Sequence, residues 1–301
     1  MLYGFDVGGT KIAFSVYDQA LNCQLTEQIP TPSNYPDFIA AIKEMVKRAD
    51  HTFAGKGSVG IGFPGAIKAK DQRVNCANVP AIQAQTLAAD LSALLDREIK
   101  LENDANCFLL SECYGGSGDN CATVLAVTLG TGVGGAIFVN GAIHRGLNSF
   151  AGEIGHYPIP ATMLLKYPDL PRFSCGCGRQ MCLETYSSGT GLCNLYHYYS
   201  GYYAQGPEII NKYQTGDKVA GRVLNIYLDL LAAGLATIIL VLDPEAIVLG
   251  GGLSRLSILT EQLITRLPEH LLKGVVLPNI HPALFGARGG VRGAALLNYQ
   301  P

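Results

Sequence analysis

Apolar and polar positions alternate in short blocks along this chain, and the blocks predict an α/β protein. Leu2-Tyr-Gly-Phe-Asp6-Val and Ile12-Ala-Phe-Ser-Val-Tyr flank Gly8-Gly9-Thr10-Lys11, which predicts a β-hairpin over residues 2–18. Phe38, Ile42, Met45 and Val46 recur at helical spacing, with Pro36 near the start, so residues 35–53 predict a helix. Ser58–Phe63 is a short apolar run stopped by Pro64-Gly65 and predicts a buried strand. Lys100-Leu-Glu102 ends a strand, and Asn103-Asp104 opens a helix. Cys121–Leu129 is a continuous apolar strand that turns at Gly130-Thr131-Gly132-Val133-Gly134-Gly135 and returns through Ala-Ile-Phe-Val. Helical patterns follow over residues 192–203, 207–213 and 219–242. A strand at Ala246–Leu249 then runs into Gly250-Gly251-Gly252, ahead of an amphipathic helix over 256–267 and an Ala/Gly-rich last helix over 289–297.

Strand, Gly/Thr turn and returning strand thus occur twice, at residues 2–18 and 121–141. Two such halves predict a duplicated α/β fold. The run Gly115-Gly-Ser-Gly118-Asp-Asn reads as a boundary. The expected division is a small α/β domain over residues 1–117, joined by the C-terminal helix 289–301, and a large α/β domain over 118–288.

Composition narrows the classes. The chain has 301 residues, 48% hydrophobic and 15% charged, which is enough to bury a sizeable core in one large or two medium domains. A formal net charge of -2 gives no electrostatic reason to bind nucleic acid or an anionic membrane. Nine cysteines without a basic, apolar leader at the start point to a reducing cytoplasm rather than a disulfide framework. The longest uncharged apolar run, residues 230–242, covers 13 positions and is too short by itself to span a bilayer.

The densest chemistry lies between Gly152 and Gly189. Eighteen residues separate His156 from Cys175-Gly-Cys177, and Cys182 follows. One imidazole and three thiolates form a closed set suited to structural zinc, with no position left open for water. Glu153 and Glu184 flank these ligands, so closing the loop on a metal would bring two carboxylates together as an acceptor for hydroxyl groups. Gly8-Gly9-Thr10-Lys11 offers backbone N–H groups, a hydroxyl and a cation to a phosphate, although a plain hairpin turn fits it equally. It is not a Walker A loop, because Thr precedes Lys and a strand follows. The formal G-x-G-x-x-G over Gly130–Gly135 also opens a strand rather than a helix, so it fails the structural test of a dinucleotide fold and disfavours a zinc- and nicotinamide-dependent dehydrogenase. Asp104, at a strand's C-terminal end, is either a helix cap or a general base, and Asn78 either caps a turn or binds a ligand. Gly250–Gly252 let the backbone lie flat against a planar or phosphorylated ligand, or simply ease a strand-to-helix turn.

Asp6-Val-Gly-Gly-Thr-Lys11, Leu129-Gly-Thr-Gly-Val-Gly-Gly135, Gly152-Glu-Ile-Gly-His156, Cys175-Gly-Cys-Gly-Arg-Gln-Met-Cys-Leu-Glu184 and Val248-Leu-Gly-Gly-Gly252 together resemble the ROK family of sugar kinases and repressors, across nearly the whole chain. The resemblance implies an actin-like (ribonuclease H-like) ATPase fold with two domains hinged around a cleft. It implies ATP with Mg²⁺ as phosphoryl donor, a structural Zn²⁺ and a homodimer. Gly4, Asp6, Gly8, Gly9, Thr10 and Lys11 are then expected at the nucleotide, as are Gly130, Thr131, Gly132, Val133, Gly134, Gly135, Gly250, Gly251 and Gly252. Asp104 is the expected base for a sugar 6-hydroxyl. Gly65, Asn78, Asn103, Glu153, His156 and Glu184 are expected to hold the sugar, with His156, Cys175, Cys177 and Cys182 on zinc. Asn103-Asp-Ala-Asn-Cys-Phe108, Arg266-Leu-Pro-Glu-His-Leu-Leu272 and the total length resemble members acting on N-acetyl-D-glucosamine, and this resemblance implies that acceptor, with N-acetylmannosamine, glucose and fructose as alternatives.

The chain departs from the family at one place. Its members usually have Gly immediately before the third Cys, where this chain has Met181; a positive φ there would strain the loop. Repressors of the family carry a winged-helix segment ahead of the Asp-x-Gly-Gly-Thr motif, which here begins at residue 6, so a kinase rather than a repressor is expected.

Overall fold

A computed structural model describes residues 1–300. The elements are β1 (Leu2–Val7), β2 (Lys11–Tyr17), β3 (Cys23–Pro30), α1 (Tyr35–Thr52), β4 (Ser58–Phe63), β5 (Ala66–Ile67), β6 (Val74–Asn75), α2 (Leu87–Leu95), β7 (Ile99–Asn103) and α3 (Asp104–Glu112). Then come β8 (Thr123–Leu129), β9 (Val133–Val139), β10 (Ala142–Ile143), α4 (Ala161–Lys166), α5 (Glu184–Ser187), α6 (Gly189–Ser200), α7 (Gly206–Gln214), α8 (Lys218–Leu242), β11 (Ala246–Gly250), α9 (Ser257–Arg266), β12 (Asn279–Pro282) and α10 (Gly289–Leu296).

The two main sheets repeat one topology. The first has the order β3-β2-β1-β4-β7 and the second β10-β9-β8-β11-β12. In each, a hairpin strand lies beside two parallel strands: β1 pairs parallel with β4 and β4 with β7, as β8 does with β11 and β11 with β12. β3 has only a weak apolar face, Leu25 and Ile29 with Glu27 between them. Its residues alternate between exposed and half-buried, and it is a strand because it pairs antiparallel with β2.

By contacts the chain forms two compact units. One comprises Met1–Asn120, Ile137–Ala151 and Leu284–Pro301; the other comprises Cys121–Ala136 and Gly152–Ala283. The division differs from the expected boundaries mainly in residues 137–151, which leave the second half of the sequence to join the first unit.

In the first unit, Phe5, Phe14, Phe38, Ile42, Val59, Ile61 and Leu87 form a core on one face of the sheet. On the other face α10 lies so close to β1 and β4 that a Cβ on Gly4 would strike the carbonyl of Val291, and one on Gly60 the carbonyl of Ala294. Gly4 therefore has a packing reason of its own to be glycine. It is buried in mid-strand beneath α10, and its lack of a side chain lets the helix pack there.

In the second unit α8 is the central helix. Asp217 caps its N-terminus by accepting from the Ala220 N–H at 2.7 Å. By length and composition α8 could cross a membrane, yet 83% of its most apolar window is buried inside the protein, as a core helix requires. Asp229 on α8, 2% exposed, takes Lys166 Nζ at 2.7 Å together with Tyr167 Oη and Arg266 Nη1. It thereby ties α4 and α9 to the core, and α4 lies in the excursion between His156 and Cys175.

Candidate active site and metal centre

The first unit carries the hairpin and the Asp104 junction. Gly8 N–H donates to the Lys11 carbonyl at 2.9 Å, closing the turn, and Thr31 pins it from outside through an Oγ1–H to the Gly8 carbonyl at 2.7 Å. Gly9, Thr10 and Lys11 are left exposed at its tip. A Cβ on Gly9 would come within 2.7 Å of the Asn78 carbonyl, so the 75–80 loop lies directly against the turn.

At the β7–α3 junction the two readings of Asp104 separate. Asn103 is the cap: its Oδ1 accepts from Ala105 N–H at 2.9 Å and Asn106 N–H at 3.3 Å. Asp104 is the first helical residue and is not needed for that purpose, although its Oδ1 accepts from Ala105 N–H at 2.8 Å. The Asn103 amide also donates to the Gly65 carbonyl at 3.0 Å, so Gly65 and Asn103 are held together. Beneath them sits Glu102, 5% exposed, which the sequence pattern does not mark. It accepts from Asn103 N–H at 2.9 Å, Asn106 Nδ2 at 2.8 Å and Arg145 Nε at 2.5 Å. Arg145 arrives from the 137–151 segment, and that long-range closure is why no local motif announces the brace.

Asp6 and Asp104 form a like-charged pair. Burial and the neighbouring Asp104 push Asp6 up to about 6, with Lys11 opposing. Burial also raises Asp104, against the backbone N–H of Ala105. Two carboxylates this close and this buried hold their last shared proton above the usual carboxylate range. Gly290, in the first turn of α10, packs against the Asp6 carboxylate, where a Cβ would lie 2.6 Å from Oδ2.

The second unit gathers the metal set. One ligand atom from each of His156, Cys175, Cys177 and Cys182 lies within 4.8 Å of every other. Cys175 Sγ stands 3.5 Å from His156 Nδ1, and Cys177 Sγ 3.6 Å from Cys182 Sγ. Ligand bonds of 2.0–2.3 Å in a tetrahedron place neighbouring donors about 3.5–3.8 Å apart, so the residues fit one such ion. Arg179 beside Cys177 lowers that thiol to about 6, which favours the thiolate a metal needs.

Met181 has φ +61°, inside the left-handed region. Its N–H donates to the Phe173 carbonyl at 2.9 Å and its carbonyl accepts from Ile159 N–H at 3.0 Å, so the strain is held from both sides. Leu183 then docks on α8 at Gly234, where a Cβ would approach it to 2.7 Å.

Both flanking carboxylates meet His156. Glu184 Oε1 is 3.6 Å from Nδ1 and 3.0 Å from Cys175 Sγ, and Glu153 Oε2 is 3.8 Å from Nε2. Glu184 also reaches the glycine turn, accepting from Val133 N–H at 3.4 Å, and Gly189 N–H donates to the Gly130 carbonyl at 2.7 Å. Only Gly130–Gly132 belong to that turn. Gly134 and Gly135 lie inside β9, and a Cβ on Gly135 would meet the Gly152 carbonyl at 2.5 Å and Ile154 at 2.8 Å. Gly135 thereby seats the Glu153–His156 segment against β9.

A cavity of about 840 Å³ opens beside the turn, lined by Leu129, Gly130 and Thr131, by Gly252, Leu253 and Leu256, and by α6 and α7. Gly251, at φ +82°, makes this approach possible, since a Cβ there would strike the Leu129 carbonyl. The cavity's polar lining includes Thr190, Gln205, Asn211 and Gln214, none of which stands in a recognisable motif.

The ROK family profile matches residues 2–300. The N-acetyl-D-glucosamine kinase of Escherichia coli O139:H28 is 46% identical over 300 residues, covering 99% of this chain and 99% of that protein. The protein of the same name from Salmonella newport is 45% identical over 301 residues, with 99% of each covered. Among solved structures, the ROK hexokinase of Thermus thermophilus superposes with a TM-score of 0.87 at 30% identity, covering 98% of this chain and 96% of that one. A ROK family glucokinase from Streptomyces griseus, in complex with glucose and AMPPNP, gives 0.76 at 27% identity with 98% of each covered.

Proposed function

This chain belongs to the ROK family, and on that footing we propose that it transfers the γ-phosphoryl group of ATP to the 6-hydroxyl of N-acetyl-D-glucosamine, on an actin-like ATPase fold. The observation that carries the chemistry is Asp104. It stands at the start of α3 with the capping duty taken by Asn103, and it shares a half-buried site with Asp6. Phosphoryl transfer asks little covalent work of a protein beyond positioning, charge stabilisation and an acceptor for the hydroxyl proton.

Asp104 accepts that proton as the 6-oxygen attacks phosphorus and the bond to the β-phosphate oxygen breaks, releasing ADP. Glu102, Asn106 and Arg145 hold the junction still, so that the carboxylate keeps one orientation. The exposed amides and hydroxyl of Gly9 and Thr10, with Lys11, meet phosphate oxygens; Gly130–Gly132 do the same from the second hairpin. Asp6 is the carboxylate that would help hold the Mg²⁺ accompanying the nucleotide, which when bound would offset phosphate charge. The nucleoside is assigned to the cavity beside Gly252, whose lining offers Asn211 and Gln214 as hydrogen-bonding partners. Glu153 and Glu184 accept from sugar hydroxyls while His156 keeps one ring nitrogen for metal. His156, Cys175, Cys177 and Cys182 would hold a Zn²⁺, which would supply shape rather than reaction chemistry because four protein donors would leave no position for water.

The deciding experiment is ADP release with Mg²⁺ and ATP over N-acetylglucosamine, N-acetylmannosamine, glucose and fructose. Preference for N-acetylglucosamine in kcat/KM supports the assignment. A preference for another hexose keeps the reaction and replaces the acceptor, and no turnover by zinc-replete protein overturns both.

A further inference from the structure

Glu112 is the last residue of α3, 0% exposed, and has no part in the chemistry above. Its two oxygens collect backbone donors from distant segments. Oε2 accepts from Ser117 N–H at 3.1 Å and from Leu284 N–H at 3.0 Å, and Oε1 accepts from Phe285 N–H at 2.9 Å. Its own carbonyl accepts from Gly118 N–H at 3.0 Å. Arg292 of α10 secures the same corner, donating to the Ser111 carbonyl at 2.6 Å and the Tyr114 carbonyl at 2.8 Å, with its guanidinium 3.9 Å from the centre of the Phe285 ring.

These donors are not arbitrary pieces of backbone. The chain leaves the first unit after Asn120 and returns to it finally at Leu284. Ser117 and Gly118 therefore precede the first departure, and Leu284 and Phe285 begin the last return. Both are gathered on one carboxylate at the end of the helix whose opposite end is Asp104. Nine residues at 1.5 Å each make that lever about 13 Å long.

We infer that Glu112 is a positioning residue for the phosphoryl transfer, fastening these two crossings to α3 so that any change in their path is passed along one rigid helix to the reactive carboxylate. The inference rests on Asp104 being the base. A carboxylate suits the task because it only accepts; glutamine would turn an NH2 group toward at least one of three N–H donors.

The test compares wild type with E112Q for kcat, KM, equilibrium sugar affinity, metal content and backbone hydrogen exchange. E112Q should retain its metal and bind sugar within about threefold of wild type, while kcat falls at least about tenfold. In wild type the amides of Ser117, Leu284 and Phe285 should be protected, although the Leu284 side chain is 66% exposed. They should exchange at least about tenfold faster in E112Q. Released amides with unchanged kcat, or wild-type amides that exchange like open loop, overturn the inference. Should E112Q fail to fold, L284P decides: it deletes one donor at an exposed position and should lower kcat with sugar affinity kept, and an unaltered kcat overturns the inference. Wild-type turnover and D104N judge the kinase assignment separately, and the exchange measurement needs no substrate at all.

Discussion

Replacing Met181 tests whether the metal loop is strained where it departs from its family. With φ at +61°, Met181 bears the left-handed penalty of an L-residue, about 1–2 kcal/mol. It cannot relax cheaply, because turning the backbone over would break the hydrogen bonds to Phe173 and Ile159. At about 1 kcal/mol each, those two outweigh or match the strain, so the strain persists. Glycine removes the penalty but loses about 0.5–1 kcal/mol through its freer unfolded chain. To cancel the lost side-chain packing, the comparison should be M181G against M181A. The difference is then about 0.5–1 kcal/mol in favour of glycine, whereas at a right-handed position alanine wins by a similar amount. Denaturant unfolding of metal-loaded protein reads this sign directly, and competitive chelation should show M181G holding zinc about two- to fivefold more tightly than M181A. M181A equal to or more stable than M181G would refute a strained loop.

Three further outcomes follow from the geometry. D104N should lower kcat by about 10³-fold or more while calorimetric sugar affinity changes little, because the cap belongs to Asn103; equal losses in both would return Asp104 to a structural role. The acid limb of kcat/KM should fall near pH 6, since the Asp6 and Asp104 pair must lose its last proton to work and Asp6 is held up at about 6. Activity is therefore present above that pH and lost below it, and a limb near pH 4 would show the carboxylates to be uncoupled. Chelating zinc should raise the sugar KM and expose residues 157–181 to proteolysis, whereas an unchanged KM would detach the metal from the sugar site.

The parts of this molecule legible in its sequence are those that need only near neighbours. Hairpins around Gly8–Lys11 and Gly130–Gly132, and the ligand spacing from Cys175 to Cys182, are short enough for local pattern to decide. Asn103 and Asp104 both carry a group able to cap, and only the helix's actual start says which one does. Glu102 with Arg145, and Glu112 with Leu284, are partnerships between segments that meet only in the folded chain. β3 and β12 escaped notice for a related reason: each is an edge strand defined by its neighbour's hydrogen bonds more than by its own apolar residues. Gly4 and Gly135 sit within glycine-rich motifs, yet the backbone close to them, from α10 and from Gly152, is what requires glycine.

The late return of the chain at Leu284 also sets an order of assembly during synthesis. The unit with the metal set contains no residue after Ala283, so its closure needs nothing from the last stretch of chain. The unit with Asp104 cannot. Until residues 284–300 emerge, the bare faces of Gly4 and Gly60 have no α10 to cover them, and Glu112 lacks two of its donors. A nascent chain stalled in its last stretch would therefore hold a finished metal knuckle beside an unfinished catalytic half. The C-terminus is thus the poorest place on this protein to shorten.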